Sequence, residues 1–405
     1  MTDDFSNIHG NGIDDDTSAI QKLLDSGRSC VELPPPEKHY LISRPLEIGS
    51  GQELRLPRFA VIRLADHSDC MMLRNRTPEE GNRHIRVTGG IWDANNMGNT
   101  PNLGAVICER RLTEPDFTIE DPYGPGFNRN RRIGEIMYFE NVQDFELADL
   151  TFRNPTTYAF HACLLSYFAI SNIEFDFSTW NPQKANMDGI HLDGCCHHGK
   201  ISNLRGTCWD DLLALNANDG GCAFREGPIT DIDVDGIYCD YCHSAIRLLS
   251  TQPEAFIKRI SIRNIHGNFY RYAVGLTHFF EDRETRGVFD DISISDCFVG
   301  KAPMPEDIPW GKYLEHFAPI YCDASIDVGS LCITRLFREE TCEALPTITT
   351  KPTTCVEALT CCDCVNTNCL KEPLVFLKNA GRIGNLTLQN IHCVSAPGAG
   401  ASTVL

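Results

Sequence analysis

The chain has 405 residues, of which 36 are lysine or arginine and 55 are aspartate or glutamate, so its formal net charge is −19. No basic patch or stripe runs along the sequence, and this argues against nucleic acid or an anionic membrane as the partner. No apolar run approaches the ~18 residues of a transmembrane helix. A sizeable core is available, and large all-β folds of this length often form one domain. The sequence leaves the oligomeric state open.

The first residues, Met1–Ser6, contain neither the basic nor the apolar region of a signal peptide. We therefore expect a cytoplasmic protein whose 20 cysteines are mostly reduced thiols; secretion is the alternative if a leader has been removed. Two clusters, Cys195–His198 and Cys361–Cys364, contain residue types that bind zinc. The second lacks a well-formed partner pair and the first is better explained by a turn. We predict no metal and no cofactor.

The N-terminal part begins with a turn and a helix. Residues 10–26 place Ile20, Leu23 and Leu24 on one helical face, and Asp16 or Thr17 is the predicted cap. Such a helix would cover the end of a solenoid, whose first turn otherwise exposes its core. Short strand-like segments follow, separated by Gly and Pro. They are Tyr40–Ile42, Glu53–Leu56, Val61–Leu64 and Ile85–Val87.

From about residue 136 a hexapeptide of the form apolar-x-apolar-x-(Asp/Asn)-apolar recurs. Its copies are Phe145–Leu150, Phe168–Ile173, Ile201–Leu204, Ile232–Ile237, Ile260–Ile265, Ile292–Cys297 and Leu386–Ile391. Copies of short alternating strands at steps of 20–35 residues are typical of a β-solenoid, in which the residues beyond ~22 per turn form loops. We therefore predict an all-β protein, a right-handed parallel β-helix; a β-sandwich would not repeat one hexapeptide at this spacing.

The predicted organisation is one domain over residues 1–405. Residues 1–30 form the turn and capping helix, and about 136–300 form the most regular turns, or rungs. Residues 301–373 form irregular rungs or an insertion. Residues 100–135 are polar and Pro-rich and are predicted to be a long loop over one face.

Three aspartates stand where neighbouring rungs would stack them. Asp188 and Asp210 lie 22 residues apart, and Asp211 follows directly. Glycosidic cleavage with inversion needs one protonated acid and one or two carboxylates that activate water. Because stacked carboxylates repel one another, one of them tends to stay protonated. His243, on the rung after Asp211, would orient the acid. Asp and Asn near strand ends also make ordinary turn hydrogen bonds, which is the alternative.

These residues resemble the family 28 glycoside hydrolases, which include the polygalacturonases. The segments that carry the resemblance are residues 10–20 (Gly-x-Gly-x-x-Asp-Asp-Thr-x-Ala-Ile), 89–95, 154–161, Asn186-x-Asp188, Asp210-Asp211 and the rung with His243. The resemblance implies that Asp210 is the general acid and that Asp188 and Asp211 activate water. It also implies that His243 supports the acid, Asn186 fixes Asp188 and His161 lines the cleft. The family inverts configuration and uses no metal.

One family feature is missing from this sequence. Polygalacturonases carry an Arg-x-Lys pair on the next rung, which grips the substrate carboxylate. The matching strand here, Tyr272–His278, has neither cation. Either Arg247 or His278 takes over this role, or the sugar at the cleavage site is not a uronate.

The sequence thus predicts an inverting glycoside hydrolase that acts on pectin-type or related oligosaccharides or polysaccharides. Exo-action is expected if the loop at 100–135 and an insertion at 218–227 close one end of the cleft. One alternative is a polysaccharide lyase on the same fold, but the lyase reaction uses a basic residue and Ca²⁺, and no convincing basic rung is present. Another alternative is a non-catalytic carbohydrate-binding or tailspike-like β-helix.

Overall fold

The computed structural model describes residues 7–100, 134–218, 225–278, 284–306 and 317–405. The predicted loop at 100–135 lies almost entirely outside these residues, as does most of the predicted insertion at 218–227. The chain divides into two compact units. Of the described residues, the first contains 7–100, 134–190 and 208–210, and the second contains 191–207, 211–218, 225–278, 284–306 and 317–405.

The first unit is built from parallel strands in three columns, β1–β3–β6–β9, β2–β5–β8 and β4–β7. Its elements are β1 (Asn11–Asp15), α1 (Thr17–Leu24), β2 (Cys30–Glu32), β3 (His39–Ile42), β4 (Leu46–Ile48), β5 (Gln52–Arg55), β6 (Val61–Leu64), β7 (Leu73–Asn75), β8 (Asn82–Thr88), β9 (Ile91–Asp93), a 3-10 turn (Asn96–Gly98), β10 (Met137–Arg153) and β11 (Phe160–Asp176). Strand β10 extends all three columns, because it pairs in turn with β7, β8 and β9. Each rung therefore has three faces.

Helix α1 lies where the sequence predicts it, and Ile20, Leu23 and Leu24 are buried. The predicted side-chain cap is wrong. Asp16 occupies the N-cap position, but its carboxylate accepts hydrogen bonds from the backbone N–H groups of His9 (2.6 Å) and Gly10 (3.1 Å) instead of from the helix. The preceding Asp15 accepts the hydrogen bond from the Thr17 N–H at 2.8 Å. The Asp16 carboxylate therefore stabilises the turn at residues 9 and 10 and does not cap the helix.

The second unit repeats one long strand and one short strand per rung. Its elements are β12 (Ile190–Asp193, apart from Ile190), β13 (His197–Thr207), β14 (Asp211–Asn216), β15 (Ile229–Cys242), β16 (Ser244–Leu249), β17 (Ile257–Phe269), β18 (Val274–Thr277), β19 (Gly287–Lys301), β20 (Ile320–Cys322), β21 (Ile326–Glu340), β22 (Ile348–Thr350), β23 (Cys355–Asn368), β24 (Leu374–Val375), β25 (Leu377–Asn379), β26 (Arg382–Ser395) and β27 (Ser402–Thr403). The long strands β13–β15–β17–β19–β21–β23–β26 stack in parallel. The short strands β14–β16–β18–β20–β22–β25 form a second parallel column.

The fifth residue of the hexapeptide bends the long strand between two faces. It adopts a left-handed backbone, with φ of 58° at Asp149, 60° at Asn264 and 93° at Gly236. Asn, Asp and Gly adopt this conformation at the least steric cost, which explains why the repeat selects them. Side chains at adjacent bends also bond to one another, as Asn172 Nδ2 does to Asp149 Oδ1 at 2.8 Å. We call this stack of bends the left-handed corner column.

Two further copies of the hexapeptide lie within residues 301–373. They are Leu331–Leu336 and Leu359–Cys364, and their fifth residues, Arg335 and Asp363, have φ of 51° and 56°. Both copies pair in register with the repeats on either side. The described part of this stretch therefore contains stacked rungs. In the second copy Cys361 and Cys364 are buried, and burial raises the pKa of the Cys364 thiol to about 11, as expected for a core thiol.

Substitution of Asn264 tests the left-handed corner column. We expect Asn264→Ala to be less stable than Asn264→Gly by about 1 kcal/mol, because both lose the 2.6 Å hydrogen bond to Asp235 but only alanine strains the left-handed backbone. Urea unfolding of both variants measures the difference. At Ser261, in the extended part of β17, the order should reverse because glycine weakens a strand. Equal stability of the two Asn264 variants would contradict this explanation of the repeat.

The predicted fold class is confirmed. The protein is all-β, a right-handed parallel β-helix with a short N-terminal helix. Among the described residues, no helix is long and apolar enough to cross a membrane.

Candidate active site

Asp188 and Asp210 lie on successive rungs of the first unit. The backbone N–H of Trp209 donates to the carbonyl of Met187 at 3.3 Å, and the N–H of Ala159 donates to the carbonyl of Asp188 at 2.9 Å. The first of these bonds joins positions 22 residues apart, which is the rung length that the sequence predicts. Asp188 is 1% exposed and Asp210 is half-buried. The two residues therefore occupy neighbouring levels of one stack.

Asn186 precedes Asp188 by two residues and has a left-handed backbone with φ of 55°. This conformation turns the chain immediately before the buried segment 187–190. Asparagine suits such a bend for the same reason as it suits the left-handed corner column. The position thus has a backbone reason for its residue type, besides the predicted role of fixing Asp188.

His161 lies on β11, one rung before Asp188, and it is buried against a carboxylate that the sequence did not indicate. Its Nδ1 lies 2.9 Å from Oε1 of Glu135, and both side chains are almost fully buried. The rings of Tyr138 and Tyr158 contact the imidazole edge-on at centroid distances of 5.2 and 5.4 Å. The carboxylate fixes the orientation of the imidazole, as it does in other paired histidines. The predicted cleft residue is therefore part of a buried His–Glu pair.

In the second unit, Asp211, His243 and Arg247 come together. Asp211 begins β14, and β16 pairs with it in the register Asp211↔Ser244 and Ala214↔Arg247. Arg247 Nε lies 3.0 Å from one Asp211 oxygen, and His243 Nδ1 lies 3.8 Å from the other. Asp211 and His243 are fully buried, whereas the Arg247 side chain is 12% exposed. Three of the predicted site residues thus share one charged cluster.

The surroundings of His243 keep its imidazole neutral. Burial lowers the pKa of His243 well below its usual value, and the positive charges of Arg271, Arg247 and Lys301 lower it further. The ring contacts Tyr270 edge-on at 5.1 Å, and Nδ1 lies 2.9 Å from the Ser244 hydroxyl. A neutral histidine can orient a neighbouring group by hydrogen bonding without adding a fourth positive charge.

His243 should make the protein acid-sensitive. Its folded pKa is depressed, so the unfolded chain binds its proton first as the pH falls below about 6.5, and stability is lost from that point downward. We expect His243→Gln to lose less free energy of unfolding than the parent between pH 7 and pH 5. Urea unfolding across this range measures the slope, and His392→Gln, at an exposed position, is the control. Parallel slopes for the parent and His243→Gln would contradict the expectation.

Two cations, Arg271 and Lys301, lie close to His243, although the strand that would carry the Arg-x-Lys pair has neither residue. Arg271 directly precedes the strand-like segment Tyr272–His278, and its guanidinium lies 5.2 Å from the ring centre of Tyr272 and 4.8 Å from that of Phe317. Lys301 is buried, and its ammonium donates to the carbonyls of Tyr270 (3.0 Å), Arg271 and Phe317 (2.9 Å). Burial lowers the pKa of Lys301 to about 8. Lys301 therefore holds the segment that carries Arg271.

His278 directly follows β18 and is 1% exposed. Its backbone N–H donates to Asp323 Oδ2 at 3.1 Å, and Asp323 also accepts the Tyr321 hydroxyl at 2.8 Å. Within the described ranges, neither ring nitrogen of His278 has a hydrogen-bond partner. Within the part of the chain that the structure describes, His278 makes no contact with Asp211, His243 or Arg247.

Sequence reasoning missed several buried partners. They are Glu135 beside His161, the pair His191–Asp193 (3.3 Å), and the cations Arg271 and Lys301. Asp193 belongs to the segment Asn186–Asp193. Because it stands two residues after His191 on one strand, the sequence could have predicted that the two side chains lie together. Glu135 and Lys301 had no such signal, because their partners are 26 and 16 or more residues away in the chain. Arg271 was missed because it stands one position before the expected motif.

Comparison with known proteins shows a likeness of fold and no match of sequence. No family profile and no curated protein matches the sequence. The family 28 exopolygalacturonase of Yersinia enterocolitica superimposes with a TM-score of 0.58 at 14% identity, over 96% of this chain and 77% of that one. The polygalacturonase of Erwinia carotovora gives 0.51 at 11%, over 97% and 93%. The surface adhesin PfbA of Streptococcus pneumoniae gives 0.59 at 12%, over 98% and 91%.

At these identities the likeness establishes the fold. The resemblance to family 28 is confirmed at the level of the fold, because the superpositions on these two polygalacturonases cover 96% and 97% of this chain. The same fold serves a surface adhesin, so the fold by itself does not determine the activity.

Proposed function

We propose that the protein is an inverting glycoside hydrolase that acts on pectin-type or related oligosaccharides or polysaccharides. The observation that carries this proposal is the stacking of Asp188 and Asp210 on successive rungs, fixed by the Trp209–Met187 hydrogen bond. Asp211, next in the chain, supplies the third carboxylate. Inversion needs one acid and a carboxylate or pair of carboxylates that activate water, and three aspartates satisfy this requirement.

The surroundings of each carboxylate support a division of roles. An ion pair with Arg247 requires an ionised Asp211, which is the state in which a carboxylate accepts a proton from water. Asp210, half-buried, would protonate the leaving oxygen, and Asp188 would help to activate the water. His243, kept neutral, would orient its neighbours by hydrogen bonding. These roles agree with those that the family resemblance implies.

An acidic sugar is the substrate that the charges favour. The positive charges of Arg247 and Arg271 both lower the pKa of His243. Two cations thus lie close to the site, although the net charge of the chain is −19. A guanidinium binds a carboxylate through paired hydrogen bonds, so either arginine can serve in place of the missing Arg-x-Lys pair. We propose a uronate-containing oligosaccharide and exo-action, in which single residues are released from one end.

A panel of galacturonides, neutral galactosides and rhamnosides tests the proposal. We expect hydrolysis of galacturonides to release mainly monomer, with the first product of inverted anomeric configuration in proton NMR. A product with retained configuration would contradict the three-aspartate mechanism. An unsaturated product that absorbs in the near ultraviolet would show elimination and would favour a lyase.

The likeness to PfbA favours one competing function, a non-catalytic binding protein. Such a protein would bind saccharides with equal affinity before and after Asp210→Asn, and it would release no reducing ends at any enzyme concentration. Cytoplasmic location remains our proposal for the compartment; the cysteines of the described residues are free thiols, which suits a reducing environment.

A further inference from the structure

Two tryptophans and a lysine form a compact group in the first unit. The Lys184 ammonium lies 4.2 Å from the ring centre of Trp180 and 4.4 Å from that of Trp209. The two indoles meet edge-to-face, with centroids 5.9 Å apart and planes at 75°. All three residues are half-buried, so part of each side chain faces solvent. We call Trp180, Lys184 and Trp209 the tryptophan–lysine cluster.

The backbone ties this cluster to the carboxylates of the first unit. Trp209 directly precedes Asp210, and its N–H bonds to Met187, the residue before Asp188. The indole Nε1 of Trp209 donates to the carbonyl of Phe177 at 3.0 Å, so the ring is held in place and its polar group is already satisfied. What this indole can still offer to a ligand is the part of its ring surface that Lys184 does not cover.

Packing alone does not require tryptophan at these half-buried positions. The remaining tryptophan of the described ranges, Trp92, is 0% exposed and donates its Nε1 hydrogen to the Gly89 carbonyl. Trp92 therefore illustrates a structural tryptophan in the same chain, fully removed from water. Keeping two other indoles at a half-buried surface forgoes part of the free energy that their burial would supply.

The chemistry of the cluster matches a sugar ring. One face of a pyranose presents C–H groups, which pack on the electron-rich face of an indole, while its rim presents hydroxyl or carboxylate oxygens. An ammonium held against the indoles can donate hydrogen bonds to that rim, and it binds a carboxylate more strongly than a hydroxyl. The combination selects an amphipathic ligand with an acidic rim.

We propose that the tryptophan–lysine cluster binds one sugar residue of the saccharide, next to the residue that Asp188 and Asp210 address. Trp180 and Trp209 supply the stacking surface, and Lys184 discriminates in favour of a uronate over a neutral sugar. This inference rests on the proposed function for the identity of the ligand.

Binding to the Asp210→Asn protein tests the inference without turnover. Trigalacturonate and galactotriose are titrated while tryptophan fluorescence is recorded, and calorimetry gives Kd independently of the fluorophores. We expect trigalacturonate to change the fluorescence, and we expect Trp180→Ala and Trp209→Ala each to weaken binding about tenfold, the effect of one lost stacking contact. Lys184→Met should weaken trigalacturonate binding and leave galactotriose binding nearly unchanged.

The controls distinguish loss of sugar binding at the cluster from misfolding and from failure of the proposed hydrolase activity. Trp92→Phe, at the buried tryptophan, should bind with unchanged Kd, and circular dichroism and Tm establish that each variant is folded. Unchanged Kd in all three cluster variants, or no binding of either saccharide, would overturn the inference. If wild-type protein hydrolyses galacturonides but the cluster variants bind normally, the hydrolase proposal stands and the inference fails. If no hydrolysis occurs but binding depends on the cluster, the inference stands alone.

Discussion

Asp210→Asn is expected to lower the rate of glycosidic cleavage by about a thousandfold while the protein stays folded. A general acid in the transition state contributes roughly 10²–10⁴ to the rate, and an amide of the same shape cannot donate a proton to the leaving oxygen. Asp210 is half-buried and next to the backbone bond between Trp209 and Met187, which the substitution leaves in place. The rate of reducing-end release from galacturonides measures the effect.

Two comparisons make the Asp210 experiment specific. Asp240→Asn makes the same change of side chain at an exposed position and should leave the rate within a factor of about two. Substrates with a good leaving group, such as nitrophenyl galacturonides, need less protonation and should be hydrolysed by Asp210→Asn with a much smaller loss. An equal loss for both kinds of substrate would argue that Asp210 is not the acid, and a retained rate would contradict its assignment altogether.

Arg338→Met is expected to give the largest loss of stability, about 3 kcal/mol or more in the free energy of unfolding. Arg338 and Glu340 form a pair on β21 with both side chains 0% exposed. The guanidinium donates to Glu340 Oε2 at 2.8 and 2.6 Å, to the Leu345 carbonyl at 2.7 Å and to the Thr347 hydroxyl at 2.8 Å. Removing it leaves the Glu340 charge buried without its cation.

The same strand offers a matched control. Arg335 pairs with Asp296 at 2.5 and 2.6 Å, but its side chain is 51% exposed. Exposed pairs contribute under about 1 kcal/mol, so Arg335→Met should unfold at nearly the parent's urea concentration. The double variant Arg338→Met, Glu340→Gln should be more stable than Arg338→Met, because the buried charge is gone. If Arg338→Met and Arg335→Met were equally stable, burial would not explain how much the Arg338–Glu340 ion pair contributes to the free energy of unfolding.

The repeating hexapeptide made the architecture predictable from sequence. Its apolar positions alternate with a period of two, and its fifth residue marks the bend, so each copy fixes both strand and corner. Copies with atypical residues were harder to recognise. Arg335 is a rare residue for a left-handed backbone, and the four-residue run Cys361–Cys364, predicted to consist of buried or loop thiols, hid the alternation of a core strand.

The site was predictable only where its residues follow the rung period. The 22-residue spacing from Asp188 to Asp210 is such a case, because main-chain pairing transmits it directly. Arg247 reaches Asp211 diagonally across two strands, and Glu135 reaches His161 from the residues before β10. Such contacts depend on side-chain length and on loop paths, and neither follows from periodicity.

Because of the left-handed corner column, rungs of different length keep the same pairing register. Successive hexapeptides from Leu150 to Cys297 stand 23 to 33 residues apart, yet within each unit their apolar positions pair residue for residue, as Ile232, Ile260 and Ile292 do. Extra residues are accommodated outside the corners and do not shift the core. Segments beside the carboxylates can therefore be lengthened, shortened or exchanged between homologous solenoids with little penalty to folding. The protein is for this reason a suitable scaffold for loop grafting.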